Sequence, residues 1–461
     1  MPRPQPSLRT TATTLARASL DHLQAAAAGW LQLPDDFGRP QRHRLFAPTT
    51  TFWLFLAQVL SPDGSCRETV MSFLAALCRQ TRTTASTNTS AYCQARARLS
   101  TRDLRQAAHQ LADRVEATGR QWLWRGRRVR VADGSGLSMP DTPSNQKRWP
   151  QSSRAQPGCG FPVVKVVGLF ALATGALIDF AAGALTDSER TLFRTLWPLL
   201  EFGDVLLADR GFCSFADFFL LRRRGVDSVM RKDARRLNAA VIKRLGKNDR
   251  IVEWRNTGVR PDWLDEQGFR ELPERLWVRE VKVEVENPGC RTRTIWIVTT
   301  LLDHRAYPAS ALARLYQRRW QVEIHFRDIK ITMGMDVLRC KTPAMVEKEV
   351  WMRVIAYNLI RGLMAEAAAR HGERPERLSF KGTVAALRQW APIMAQINDD
   401  DGEGPEIYAT FLDYLAKDKI PWRPGRAEPR ARKRRPKNYQ LLTKPRREFK
   451  EIEHRNRYRK A

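Results

Sequence analysis

Between Arg128 and Arg231 the chain carries a succession of apolar segments whose order admits few folds. Arg128 to Asp133 alternates basic and apolar residues and ends at Asp-Gly, a turn signal. Val163 to Ala173 and Ala176 to Leu185 are apolar runs hinged at Thr174-Gly175, which reads as a buried hairpin. Thr186 to Glu189 supplies capping residues for a helix reaching Leu199. Asp204 to Ala208 then reads as a short buried strand, Phe215 to Arg223 as a helix, and Asp227 to Arg231 as a strand. The order is three strands, helix, strand, helix, strand, and the expected class is α+β or α/β.

The flanks divide by pattern. Residues 1–125 predict a helical N-terminal domain: Ser7 to Trp30 is rich in Ala and Leu, Thr51 to Leu60 and Glu68 to Gln80 carry apolar faces, and Thr89 to Leu111 mixes Arg with Ala and Leu. Its basic faces suit either packing or DNA binding. The strand–helix order above occupies 126–234. Period-two alternation then dominates 235–303, clearest at Val281, Val283 and Val285, and predicts a β-rich insertion holding Trp254, Trp263, Trp277 and Trp296. Helix returns over 304–370, from Ser310 to about Ile331 and from Val346 to Arg370. A helical region follows over 371–420, with a helix from Lys381 to Ile397, and then a basic tail over 421–461 that includes Arg432-Lys433-Arg434-Arg435.

Charge narrows the partner. Lys and Arg total 79 against 49 Asp and Glu, a net +30. Self-repulsion of that size opposes compaction unless a polyanion binds, which favours nucleic acid. A hydrophobic content of 43% excludes a wholly disordered chain. The seven cysteines form neither a CxxC pair nor a zinc-ligand spacing, which fits a reducing compartment. Val166 to Leu185, the most apolar stretch, is interrupted by Gly and Thr and holds Asp179, so no membrane span is expected and the reading is a soluble, cytoplasmic protein.

The most informative segment for chemistry is Tyr316-Gln-Arg-Arg319-Trp-Gln-Val-Glu323-Ile-His-Phe-Arg327-Asp-Ile-Lys330. On one continuous helix, at about 100° per residue, Tyr316, Arg319, Glu323 and Lys330 share a face and Arg327 joins them. Leu315, Val322, Phe326 and Ile329 form the adjacent apolar stripe. A carboxylate flanked by cations on a helix is ordinarily a solvated salt bridge. Its company argues otherwise: Asp133 ends the first predicted strand and Asp209 ends the fourth, in Leu-Leu-Ala-Asp-Arg-Gly-Phe. The strand–helix order is that of a ribonuclease-H-like domain, in which those two strand ends are neighbours. Three converging carboxylates repel unless cations neutralise them, and oxygen-only ligands suit Mg²⁺ or Mn²⁺. Two such ions can activate a water or 3′-hydroxyl on one side of a phosphorus and stabilise the leaving oxygen on the other. Tyr316, Arg319 and Lys330 would grip neighbouring phosphates, with Arg327 and Arg210 as further phosphate ligands.

Asp133, Asp209 in Ala-Asp-Arg-Gly-Phe, and the Tyr-x2-Arg-x3-Glu-x6-Lys run resemble the DDE transposases of bacterial insertion sequences, in the branch marked by the YREK motif (the insertion-sequence-four family). The β-insertion between the second Asp and the Glu is similar to that branch too. The resemblance implies cut-and-paste transposition, with Asp133, Asp209 and Glu323 as catalytic metal ligands, two Mg²⁺ per site, and double-stranded DNA (terminal inverted repeats and target) as partner. A homodimer would pair the two ends, nick each, and join the 3′-hydroxyls to target DNA. In relatives the freed hydroxyl can form a hairpin while a Trp of the insertion stacks on a flipped base. Trp296 is similar to that Trp in context, or packs within the β-insertion. The basic tail is either solvated or a phosphate contact. Another ribonuclease-H-like nuclease, such as a junction resolvase, would share the acids but needs neither the spacing nor the insertion. A catalytically silent DNA-binding derivative would need none of the acids.

Overall fold

The computed structural model describes residues 26–27, 29–34, 37–38, 45–81, 85–153, 158–233, 239–284, 294–394, 404–421 and Glu448. The helix expected from Ser7 and the basic tail therefore lie almost wholly outside the described residues.

Among the described residues, helices α1 (Pro48–Leu60), α2 (Cys66–Thr81), α3 (Ser90–Arg98) and α4 (Thr101–Thr118) precede the sheet. The single helix expected from Thr89 to Leu111 is two, because Ser100 turns extended and its hydroxyl accepts the Asp103 N–H, starting a new helix. Strands β1 (Val129–Ser138), β2 (Val163–Ala171) and β3 (Leu177–Ala184) follow, with a short helix α5 (Pro143–Arg148) between the first two. Helix α6 (Glu189–Arg194) is capped by Ser188 and stops well before Leu199, in a tight turn around Pro198, which has no N–H to continue it. Then come β4 (Val205–Ala208), α7 (Phe215–Arg223), β5 (Asp227–Arg231), β6 (Ala240–Gly246), β7 (Asp249–Arg255), α8 (Glu266–Arg270), β8 (Arg275–Glu284) and β9 (Thr294–Thr299). The C-terminal helices are α9 (Ala309–Gln317), α10 (Trp320–Arg327), α11 (Pro343–Arg370), α12 (Phe380–Met394) and α13 (Gly404–Lys417).

The strands of the described residues join one mixed sheet in the order β3-β2-β1-β4-β5-β9-β8-β7-β6. Strands β1, β4 and β5 run parallel, and β2 and β3 form the antiparallel hairpin on one side. The strands of the β-rich insertion expected over 235–303 extend this same sheet. Strand β9 pairs antiparallel with β5 and so covers an edge that would otherwise offer unpaired backbone groups.

Successive residues of the central strands feed two cores. Val131, Val205 and Leu207 pack with α1, α4, α9, α10 and α11, while Ala132, Leu206 and Ala208 pack with α6 and α7. This period-two division is what a strand covered on both faces requires. Helix α11 runs 28 residues and is buried along most of its length. Its polar side chains bond to backbone: Tyr357 donates to the Gly175 carbonyl at 2.7 Å, and Asn358 exchanges bonds with Leu177 at 2.9 Å. Among the described residues no helix is long and apolar enough to cross a membrane.

Candidate active site

Strand β1 does not end at Asp133; β2 pairs with it as far as Ser138, which carries the strand past the Asp-Gly step. The parallel pairing with β4 does end there. Ala132 faces Ala208 as its last pair, so Asp133 and Asp209 occupy the next position on each neighbouring strand. Both follow the parity of Val131 and Leu207 and so face the side covered by α9 and α10. Asp209 is extended and precedes the tight turn Arg210–Phe212 without spending its carboxylate on a cap, and Arg210 is exposed.

The Glu-bearing segment is not one regular helix. Helix α9 ends at Gln317 and α10 begins at Trp320, with i→i+3 bonds from Arg319 to Tyr316 and from Val322 to Arg319, each 3.0 Å. After Arg327 the chain makes a π turn over Asp328–Thr332, in which the Met333 N–H reaches the Asp328 carbonyl at 3.0 Å. Leu315, Val322 and Ile329 are buried as the apolar stripe requires, and Phe326 meets Phe170 of β2 edge-on at 5.2 Å. The break and the π turn change the phase of the cations, so the single face expected for all of them is not kept. Arg327 is exposed and pairs with its neighbour Asp328 at 3.5 Å, away from Glu323.

Arg319 links two of the acids directly. Its guanidinium donates to Glu323 at 2.9 Å and lies 3.6 Å from Asp133. Burial opposes its charge, but Tyr316, Glu323, Asp209 and Asp133 outweigh this and hold it above its usual value. The Tyr316 hydroxyl is hydrogen-bonded to Arg319, and burial pushes its ionisation up, so it is neutral. Burial also pushes the Asp133 carboxyl up to about 6; the Gly134 N–H and Arg319 oppose this, while Glu323 and Glu189 add to it.

Lys330, expected to grip a phosphate, is held by groups of the protein itself. Its ammonium donates to the Gly136 carbonyl at 3.0 Å and to Ser135 at 3.3 Å, and pairs with Asp336 at 3.0 Å. It ties the π turn to β1 just beyond Asp133. Lys330→Met should therefore lower stability by about 1–2 kcal/mol in urea unfolding, because a part-buried carbonyl loses a charged donor. A lysine acting on DNA phosphate alone would leave the unfolding curve where it is.

Two further charged residues stand here that the sequence reading leaves out. Arg231 is the β5 position beside Asp209, one past the Met230–Ala208 pair, and it acts on Tyr316. Its place at the end of the third parallel strand is the signal that could have marked it. Glu189 reads as a helix-cap residue, yet its carboxylate lies over Gly134: a Cβ there would stand 2.5 Å from its Cδ. No local pattern points to that reach. Trp296 on β9 lies at the same end of the sheet, half-buried, with the Arg250 guanidinium 4.6 Å from its ring centre and the Lys232 ammonium at 6.0 Å. Glu280, fully buried, binds both cations, Arg250 at 2.7 Å.

Among the described residues no three acidic, histidine or cysteine side chains stand close enough to share one ion. The donor chemistry nevertheless suits a divalent cation. Asp133, Asp209 and Glu323 offer only hard oxygen ligands, and the guanidinium of Arg319 stands in among them for the positive charge such a set requires.

Residues 124–359 match the family model described as the transposase DDE domain. The chain is 28% identical over 363 residues to the transposase InsG for insertion sequence element IS4 of Escherichia coli (strain K12), covering 77% of this chain and 78% of that relative. The solved synaptic complex of piggyBac transposase with hairpin DNA aligns over 90% of this chain and 87% of that one, at 8% identity and a TM-score of 0.41.

Proposed function

This chain belongs to the DDE transposase family, and from that membership we propose that it moves an insertion-sequence element of the YREK branch, with Asp133, Asp209 and Glu323 as its catalytic acids. The observation that carries the assignment is that one guanidinium, Arg319, bonds Glu323, pairs with Asp133 and lies in the field of Asp209, although the three acids are far apart in the chain. The sheet half β3-β2-β1-β4-β5, with its antiparallel hairpin and three parallel strands, supports a ribonuclease-H-like catalytic domain built from 126–234 and 304–370, with 235–303 as its β-rich extension.

Asp133, Asp209 and Glu323 would hold the divalent ions, Mg²⁺ or Mn²⁺ and two per site. When bound they supply Lewis-acid charge for in-line attack on a phosphodiester. The chain's own groups do the positioning. Arg231 and the exposed Arg210 extend positive charge from the acids along the sheet end, where a DNA backbone would lie. Neutral Tyr316 offers a hydroxyl donor beside Asp209, and Arg319 a fork that matches a phosphate. Trp296, at the same sheet end but on the face opposite the acids, would offer an aromatic platform for an unstacked base once Arg250 moves off its ring, as a hairpin intermediate requires. Double-stranded DNA is the partner, element ends and target alike, bound by a homodimer in which each copy acts on one end.

The test is incubation of the protein with linear DNA bearing the element's terminal repeats, in Mg²⁺, with products resolved on a denaturing gel. Wild type should cut both ends and join them to target, and hairpin-closed ends should run as a distinct species. Asp209→Asn should bind the ends without cutting them. Cutting without joining would instead favour a nuclease, and cutting by Asp209→Asn would remove that residue from the site.

A further inference from the structure

Arg319 stands between Asp133 and Glu323 and joins these two acids directly, at 2.9 Å to Glu323 and 3.6 Å to Asp133. Tyr316 holds the same guanidinium by a hydrogen bond from the end of α9. These ties hold Arg319, at the break between α9 and α10, against the two acids. A guanidinium cannot lose its proton at any working pH, so it cannot leave this cluster by neutralising; it leaves only by moving to another anion. The anion that the proposed function supplies is a phosphodiester of the DNA, which a guanidinium binds in the same fork geometry as a carboxylate.

We propose that Arg319 is an internal counter-ion that keeps the DNA-free site closed to divalent ions, and that DNA phosphate opens the site by drawing it away. Ion loading and DNA binding are then linked, each strengthening the other by the same factor. The protein would be charged for strand cleavage only when an element end is in place. This rests on the assignment of Asp133, Asp209 and Glu323 as the metal-holding acids.

Mn²⁺ titration of the full-length protein, followed by the paramagnetic resonance signal of the free ion, tests the linkage without turnover. In the absence of DNA, Arg319→Gln should bind Mn²⁺ on the order of ten-fold more tightly than wild type, the scale on which neighbours of metal ligands act. Adding duplex DNA carrying an element end should tighten wild type by a similar factor and Arg319→Gln much less. Equal Mn²⁺ affinity of the two proteins without DNA overturns the proposal. Asp209→Asn, titrated with element-end DNA present, tells the two levels of argument apart. If it weakens Mn²⁺ binding while Arg319→Gln binds no more tightly than wild type, the active-site assignment stands and the counter-ion role alone fails. If Asp209→Asn leaves Mn²⁺ binding unchanged, the assignment fails and the counter-ion role with it. Should Arg319→Gln not fold, Arg319→Lys carries the test: a lysine is a point charge without the fork, so Mn²⁺ should bind more tightly than in wild type by a smaller factor, and an affinity equal to wild type overturns the proposal.

Discussion

Asp133→Asn should abolish strand cleavage and at the same time make the ion-free protein more stable at pH 7. The loss of cleavage should reach about three orders of magnitude or more, the scale on which single members of a catalytic set act. The gain in stability follows from the environment of the carboxylate. Burial pushes its pKa up to about 6, and the Gly134 N–H and Arg319 do not offset that. Between about pH 4 and pH 6 the folded state therefore holds a proton that the unfolded chain has lost. Stability contributed by this group is present at low pH, falls as pH rises through that window, and stays at its lowest above about pH 6. An Asn has no proton to lose, so its advantage appears at neutral pH and vanishes near pH 4. With the Asp133 side chain 22% exposed, the difference at pH 7 should be about 1–3 kcal/mol, read from urea unfolding in a chelator across that pH range. An Asn variant that is less stable at pH 7 would mean that Arg319 already neutralises the native carboxylate.

The second large effect lies in the sheet extension. Glu280→Ala should destabilise the protein by about 3–5 kcal/mol, because it strands Lys232 with its charge buried and unpaired. The same change frees Arg250, which Glu280 now holds against the ring of Trp296. By contrast, Glu266→Ala removes an ion pair whose partners are both about three-quarters exposed, and should change stability by less than about 0.5 kcal/mol. If the two changes cost the same, the buried cluster contributes no more than a surface pair.

Much of the sheet is legible from local pattern because its strands are short, apolar and bounded by turn residues. Phe215–Arg223 and Asp227–Arg231 have the bounds their apolar runs suggest. The neighbouring of Asp133 and Asp209 is legible too, since it follows from strand order alone. The course of the Glu323 segment is not. Nothing between Gln317 and Trp320 is a Gly or Pro, so no local breaker announces the bend. Its causes come from far along the chain: Arg318 reaches the Leu172 carbonyl and Glu376, and Arg319 reaches Asp133. Lys330 likewise reads as one more cation on a helix face, and only the approach of Gly136 gives it a different partner. Glu189 shows the same limit, a cap residue by its neighbours whose carboxylate nevertheless lies over Gly134, next to Asp133.

The stitching of α11 to the β2–β3 turn has a consequence for how the protein is made. Tyr357 and Asn358 bond to Gly175 and Leu177 across separations of 182 and 181 residues. A ribosome must therefore synthesise the whole sheet and the Glu323 segment before the helix that covers the hairpin emerges. Until then the β2–β3 hairpin lacks this covering helix, and contacts of such long range form slowly. A chain truncated before Pro343 would therefore lack that cover and the bonds to Gly175 and Leu177 for good, however complete its sheet.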